Sequence, residues 1–281
     1  MKFRGAPGFI KFALGENVKQ ANWGENAVTR FPQTRMGVEQ VLLDAFSRAK
    51  EYDLQKSKTI PAKFHKDLEL EALVEIMHSQ RFITCHSYVQ SEINMLMHVA
   101  DSMDFVINTF THILEGYKVA DKMREHGVGA STFSDWWAYK MEVQDAIPYN
   151  AALLHKEGVV VAINSDDAEM ARRLNQEAAK AVKYGGVSEE DALKFITLNP
   201  AKLLHLDSRM GSLKAGKDAD IVIWTDNPLS IYARAYRTYV DGICYFDMNE
   251  DKEMLNWMEK ERARIIQKML DAKGAGEPVV Q

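Results

Sequence analysis

Val159-Val160-Val161-Ala162-Ile163-Asn164-Ser165-Asp166-Asp167 is the stretch that decides the fold. Its apolar run, opened by Gly158, is too short for a helix and has no polar alternation, so it reads as a strand covered on both faces. It then passes directly into polar residues, as strands do where they deliver side chains to a site. Upstream, two segments repeat the design. Phe82-Ile83-Thr84-Cys85 ends in His86, and Phe105-Val106-Ile107-Asn108-Thr109-Phe110-Thr111 ends in His112.

Helical patterns separate these strands. Met36 to Tyr52 carries Val38, Val41, Leu42, Ala45 and Phe46 on one side, and Leu68 to His78, Ser91 to Ala100, Glu115 to His126 and Ile147 to Lys156 show similar periodicity. Gly8 to Gly15 reads as a further buried strand, and Gly127 to Thr132 as a short one made of small residues. Strand and helix alternate at roughly 25-residue intervals, which predicts βα units around a parallel sheet, either a (β/α)8 barrel or an open doubly wound sheet. No Gly-rich phosphate fingerprint follows any strand, because Gly127-Val128-Gly129 lies within one, and this favours the barrel.

Downstream, Ala168 to Tyr184 is expected to be one long helix, stopped by Gly185-Gly186, with Ser188 capping the next. From Gly211 the pattern turns to β. Gly211-Ser212-Leu213, Ala219 to Trp224 and Tyr236 to Phe246 read as short strands with turns at Gly216 and Asp241-Gly242. Asp251 to Lys273 reads as a helix with Met254, Met258, Ile265 and Met269 on one stripe, placed to dock on the body or on another subunit, and the last residues read as frayed. The expected organisation is a barrel region over residues 1–205, a small β appendage over 206–248, and a helix with tail over 249–281.

With 281 residues, 46% of them hydrophobic, the chain can bury a large core. A formal net charge of -5 offers no basic field to a nucleic acid. No apolar run approaches the roughly 20 residues that span a bilayer, and the N-terminus lacks the apolar middle of a signal peptide. The expectation is a soluble chain of open compartment. Cys85 and Cys244 are too few and too far apart to frame a disulfide scaffold.

A metal that activates water needs neutral imidazole or carboxylate donors on rigid supports, with one position left open. His86, His112 and Asp166 close three strands, and inward projection converges them over one barrel mouth. A lone strand-end histidine is more often structural, and an Asp after a strand is often a helix cap. Three such placements in register with the βα units reverse that weighting. The remaining histidines, His65, His78, His98, His126, His155 and His205, fall in loops or helical patterns and read as structural.

On these residues the sequence resembles the amidohydrolase superfamily, in its imidazolonepropionase-like and prolidase-like branch. The resemblance covers almost the whole chain. It identifies Cys85-His86-Ser87-Tyr88 with the end of the fifth barrel strand, Thr111-His112 with the sixth, and Asn164-Ser165-Asp166-Asp167 with the eighth. Thr197-Leu198-Asn199-Pro200-Ala201 and Gly211-Ser212-Leu213 followed by Gly216-Lys217-Asp218-Ala219-Asp220-Ile221-Val222 are similar to the family's return into a small β-sandwich domain.

The resemblance implies a metal-dependent hydrolase of amide or peptide bonds, with zinc the expected ion, one or two per complete enzyme. His86, His112 and Asp166 are the implied ligands, Asp166 also the proton shuttle, and Tyr88 the group that polarises the carbonyl. Phe9-Ile10-Lys11-Phe12 resembles the fourth strand, where Lys11 is the candidate for a carboxylated bridging lysine and Glu16 a rival carboxylate. The chain departs from the family in having no His-x-His, the motif that ends the first barrel strand. Strands four to eight are thus expected without the first three, completed by a missing N-terminal segment or by a partner such as a second copy. The expected substrate is a small amide, preferably a dipeptide. The alternatives are a cyclic amidohydrolase or deaminase, and a catalytically silent, truncated barrel acting as a subunit.

Overall fold

The computed structural model describes residues 5–27 and 29–276; residues 1–4 and the tail beyond 276, read above as frayed, lie outside them. The chain divides after Ser212 into two compact units. The first unit opens with β1 (Gly8–Ala13), α1 (Glu16–Lys19), α2 (Arg35–Lys58) and α3 (Leu68–Met77). It continues through β2 (Arg81–His86), α4 (Gln90–Met103), β3 (Thr109–Thr111), α5 (Ala120–His126), β4 (Gly129–Thr132), α6 (Asn150–Lys156) and β5 (Val161–Ile163). Four helices close it: α7 (Ala168–Ala171), α8 (Leu174–Gly185), α9 (Glu189–Lys194) and α10 (Leu198–Leu203).

The five strands form one parallel sheet in the order β1-β2-β3-β4-β5. Each strand pairs with the next in sequence and the order never reverses. A doubly wound sheet would show a switch point, so the singly wound order is that of a TIM-barrel-type α/β fold. Register gives the sheet two different faces. Ile83, Cys85, Phe110, Ala130 and Val161 are fully buried on the face covered by helices. The opposite face carries Lys11, Thr84, Thr109, Thr111 and Ser131 and leads to His86.

Several elements differ from the sequence expectations, each for a local reason. Phe105 to Asn108 do not join the ladder, because Asp104 turns the chain in the left-handed region and Phe105 N–H bonds back to Ala100 at 3.0 Å. The apolar side chains there pack on helices instead, with Phe105 stacked on Phe46 at 4.0 Å between centroids. Likewise Gly127, at φ 82, caps α5 and delays β4 to Gly129. The expected long helix from Ala168 is two helices, broken at Arg172-Arg173. The break turns α8 so that Glu177, 1% exposed, faces inward beside Arg173 and Lys180. β1 is half exposed rather than buried, since its one strand neighbour among the described residues is β2. Val41 points outward, and α2 rests on Val38, Phe46, Ala49 and Tyr52.

The second unit holds β6 (Ile221–Trp224), β7 (Ala235–Val240) and β8 (Ile243–Asp247) in one antiparallel sheet, followed by α11 (Met248–Gly274). Asp241-Gly242 makes the β7-β8 turn, both residues having positive φ. Gly211-Ser212-Leu213, expected as a strand, is not one. Gly211 sits at φ +83, and a Cβ there would lie 2.7 Å from that of Ala201. Among the described residues no helix is long and apolar enough to cross a membrane.

Phe46, 0% exposed, ties α2 to the sheet through Phe12 and to the connection before β3 through Phe105. Phe46→Ala is expected to lower unfolding free energy by about 3–5 kcal/mol in urea titration. Met36→Ala, at a side chain 77% exposed on the same helix, is expected to stay within about 0.5 kcal/mol.

Candidate active site

The ladder brings Ala13, His86 and Thr111 into one row, so His86 ends β2 one residue short of the level at which His112 follows β3. Backbone bonds extend the ladder past the strands: Leu14 N–H donates to His86 C=O at 2.9 Å, Ser87 N–H to Thr111 C=O at 3.1 Å, and Asn164 N–H to Thr132 C=O at 3.0 Å. The side chains therefore start from fixed positions. His112 and Asp166 both have positive φ, 62° and 51°. Such a conformation is uncommon for residues other than Gly, and it re-aims each side chain where its strand stops.

The two imidazoles stand edge to face, 5.0 Å between centroids, each 5% exposed. Phe133 stacks on His112 at 4.9 Å, and Tyr88 meets His86 edge-on at 4.6 Å. Burial pushes the pKa of each ring down to about 4, with the charge of Lys11 next in effect at His86 and His86 itself next at His112. Both rings are neutral at neutral pH and carry a lone pair. Asp166, with a side chain 61% exposed, lies at the rim, its Oδ2 3.9 Å from His112 Nε2.

On the other side of His112, the Asn164 amide is 3.0 Å from Nδ1. Asn164 Oδ1, Ser87 Oγ and Thr111 Oγ1 are buried with no hydrogen-bond partner. Turning the amide oxygen toward Nδ1 lets it accept the ring N–H, which leaves the Nε2 lone pair on the Asp166 side.

The loop after β4 folds over this mouth. Lys140 Nζ lies 4.4 Å above the Tyr88 ring and 3.3 Å from Glu142, whose Oε1 accepts Glu16 N–H at 3.0 Å. Gly15 makes that latch possible. It stands at φ +68, and a Cβ would fall 2.1 Å from Glu142 Oε1. Trp136 Nε1 donates to Ser165 C=O at 3.4 Å, tying the same loop to the segment before Asp166. Tyr88 packs with Leu114, Phe133 and Val143, and burial together with a hydrogen bond to Tyr139 raises its pKa, so it keeps its proton. Beneath, Glu92 is 3% exposed and paired with Arg35 at 2.9 Å. Burial raises its pKa.

Of the residues singled out in the sequence, His86, His112, Asp166 and Tyr88 come together. Lys11 is exposed on β1, opposite Thr84 in register, and reaches the histidines only through its charge. Glu16 is held by Lys19 at 2.9 Å and by Asn22. Lys140, Glu142 and Asn164 had no signal in the sequence beyond the aromatic loop around Trp136 and the polar end of β5. Other histidines have structural partners: His126 with Asp101, His155 with Asp191, and His205 stacked on Phe82.

Two neutral imidazoles and one carboxylate are donors suited to a divalent metal such as zinc. Among the described residues, however, no group of three or more His, Cys, Asp or Glu converges as a metal site. The fit is one of donor type and placement, not of a closed coordination sphere.

An amidohydrolase family model matches residues 5–252. The amidohydrolase tasK of Hapsidospora irregularis is 28% identical over 255 residues, 85% of this chain and 26% of that protein. The imidazolonepropionase of Picrophilus torridus is 37% identical over 106 residues, 35% of this chain and 27% of that protein. Among solved structures, an amidohydrolase from Thermotoga maritima MSB8 superposes with a TM-score of 0.75 at 30% identity, covering 84% of this chain and 62% of that one. The chain thus spans about a quarter of the length of these two relatives, tasK and the imidazolonepropionase. Family match, singly wound sheet and strand-end histidines agree, and the chain belongs to the amidohydrolase family.

Proposed function

We propose that this chain supplies strands four to eight of a (β/α)8 barrel that hydrolyses an amide or peptide bond with the help of a divalent metal, zinc being the expected ion. The reading rests on one observation, the meeting of His86, His112 and Asp166 at the C-terminal mouth of one parallel sheet. The first three strands, and the second layer of a β-sandwich against the sheet of the second unit, would come from a preceding segment or a partner. Ligands absent from this chain would come with them.

In this reading His86, His112 and Asp166 hold the metal, and Lys11 is the candidate bridging ligand. When bound, the ion polarises the carbonyl and makes water acidic enough to lose a proton at neutral pH. Asp166, exposed at the rim, takes that proton on a carboxylate oxygen and returns it to the leaving nitrogen. Asn164 orients the His112 ring. Tyr88, protonated and fixed by Tyr139, donates a hydrogen bond to the carbonyl oxygen as negative charge builds there.

Lys140, above Tyr88, favours a substrate with an anionic group near the scissile bond, as a dipeptide carboxylate provides. A cyclic amide is the second reading, favoured by the stretch similar to an imidazolonepropionase. A silent barrel acting as a subunit is the third, favoured by the lack, among the described residues, of a converged three-donor site.

Metal content by mass spectrometry and hydrolysis of dipeptides and of ring amides, measured on the completed barrel in which this chain is joined by the segment or partner that supplies the first three strands, separate the three. The expected outcome is bound metal and dipeptide cleavage that Asp166→Asn, which removes both a ligand and the proton acceptor, lowers by about 10²-fold or more. Ring cleavage alone supports the second reading; neither metal nor turnover supports the third.

The histidines also predict a pH dependence of stability. Their folded pKa of about 4 lies below the ordinary 6.5, so between these values the unfolded chain binds more protons than the folded one. Stability of the metal-free chain is expected to be whole, in this respect, above the higher value and to fall as pH drops toward the lower one. Urea titrations across that window check it, with a flatter slope expected for His86→Gln/His112→Gln.

A further inference from the structure

Glu92, on α4, is 3% exposed, yet its carboxyl group is only half matched. Oε1 accepts from Arg35 Nε at 2.9 Å and lies 3.9 Å from Lys19 Nζ. Oε2 is buried and has no hydrogen-bond partner among the described residues. An ionised oxygen held that way has given up its hydration without a replacement.

What that oxygen faces is a second carboxyl group. A Cβ on Gly15 would fall 2.1 Å from Glu142 Oε1 and 3.4 Å from Glu92 Oε2, so both oxygens close on the space above one glycine. Glu142, with a side chain 11% exposed, accepts Glu16 N–H on Oε1 at 3.0 Å and holds Lys140 Nζ 3.3 Å from Oε2. Two ionised carboxylates so placed repel each other, and one proton between them turns repulsion into a charge-assisted hydrogen bond. That proton belongs on Glu92 Oε2, the atom without a partner, because Glu142 Oε1 already serves as an acceptor.

The charges packed around Glu92 leave room for it. Arg35 of α2 reaches Glu92 through Nε from a side chain 53% exposed, and Lys19 of α1 is nearer to Glu16, at 2.9 Å. Cys85 of β2 adds no charge, since burial raises its pKa and keeps the thiol protonated. Burial raises the pKa of Glu92, Arg35 and Lys19 pull against it, and Glu142 adds to the rise.

We propose that Glu92 is a positioning residue of the mouth: it carries a proton on Oε2 and shares it with Glu142, latching the loop that bears Lys140, and the latch loosens when the pair loses that proton. The loop after β4 reaches the mouth with Trp136 and Ala138 at φ 68° and 49°, a conformation that costs energy and is held by ties such as that of Glu142 to Glu16 N–H. Latched, it sets Lys140 Nζ 4.4 Å over the Tyr88 ring. The latched form binds the proton more tightly than the open form, so rising pH shifts the balance toward the open one. For substrate the consequence rests on the hydrolase reading above: the pair governs how firmly Lys140 meets an anionic group and leaves the bond-breaking step to other residues.

The test reads the latch without turnover. In the full, metal-free chain with lysines carrying ¹³C-methyl groups, the Lys140 signal, assigned by its loss in Lys140→Arg, is displaced by the ring current of Tyr88. Between about pH 4.5 and 8.5, above the ordinary glutamate value and below that of lysine, this displacement is expected to fade as pH rises. In Glu92→Gln, whose amide donates to Glu142 and does not titrate, it is expected to persist throughout; in Glu142→Ala it is expected to be lost at every pH. A displacement in the unaltered chain that ignores pH overturns the proposal, as does a pH dependence that survives Glu92→Gln or a displacement that survives Glu142→Ala. A completed barrel without turnover, in which the Lys140 signal still titrates as described, contradicts the hydrolase reading and supports the latch.

Discussion

The parallel hydrogen-bond ladder from β1 to β5 is the constraint on which the site depends. Because the strands run the same way and in register, their C-terminal ends arrive at one edge, with Ala13, His86 and Thr111 in a single row. The period of two then decides what each face carries. Phe110, Ile83 and Val161 go to the helices, while His86 and its neighbours go to the other side. A slip of one residue would send the imidazoles into the apolar layer and Cys85 to the mouth.

The chemistry of the mouth follows from what surrounds those ends. Phe133 and Tyr88 exclude water from the histidines, and exclusion keeps both rings neutral. The charged groups stay at the edge, Asp166 at the rim and Lys140 over the aromatic ring. Glu142 holds the loop that carries Lys140 to the turn after β1, so an end strand and a late loop are joined through one carboxylate. Positive φ at His112 and Asp166 marks where the regular ladder is given up to aim a side chain.

Much of this was legible in the sequence. Strands that end in His86, His112 and Asp166 announce themselves through apolar runs that stop at a polar residue, and the helices between them through periodicity. What escaped depends on distant partners. Phe105 to Asn108 look like strand because their apolar, β-branched character suits either a ladder or a buried connection, and only the turn at Asp104 decides between the two. Arg172-Arg173 carry no breaker, and the break between α7 and α8 goes with a buried Glu177 paired to Arg173 and Lys180, partners that periodicity does not reveal. Lys140 and Asn164 gain meaning only from Tyr88 and His112, far away along the chain. Lys11 has the right position on β1, yet its side chain is exposed, a property of what lies beside the strand and not of the strand itself.

The central claim is that His86 and His112 form a neutral, paired donor set at one sheet edge. Long-range nitrogen NMR of the histidine-labelled, metal-free chain at about pH 6, followed by titration with zinc, addresses it directly. The account predicts neutral-imidazole nitrogen shifts for both rings and movement of both on zinc addition, with His126 and His155 unchanged. Charged rings at that pH, or zinc shifts confined to the other histidines, would contradict it.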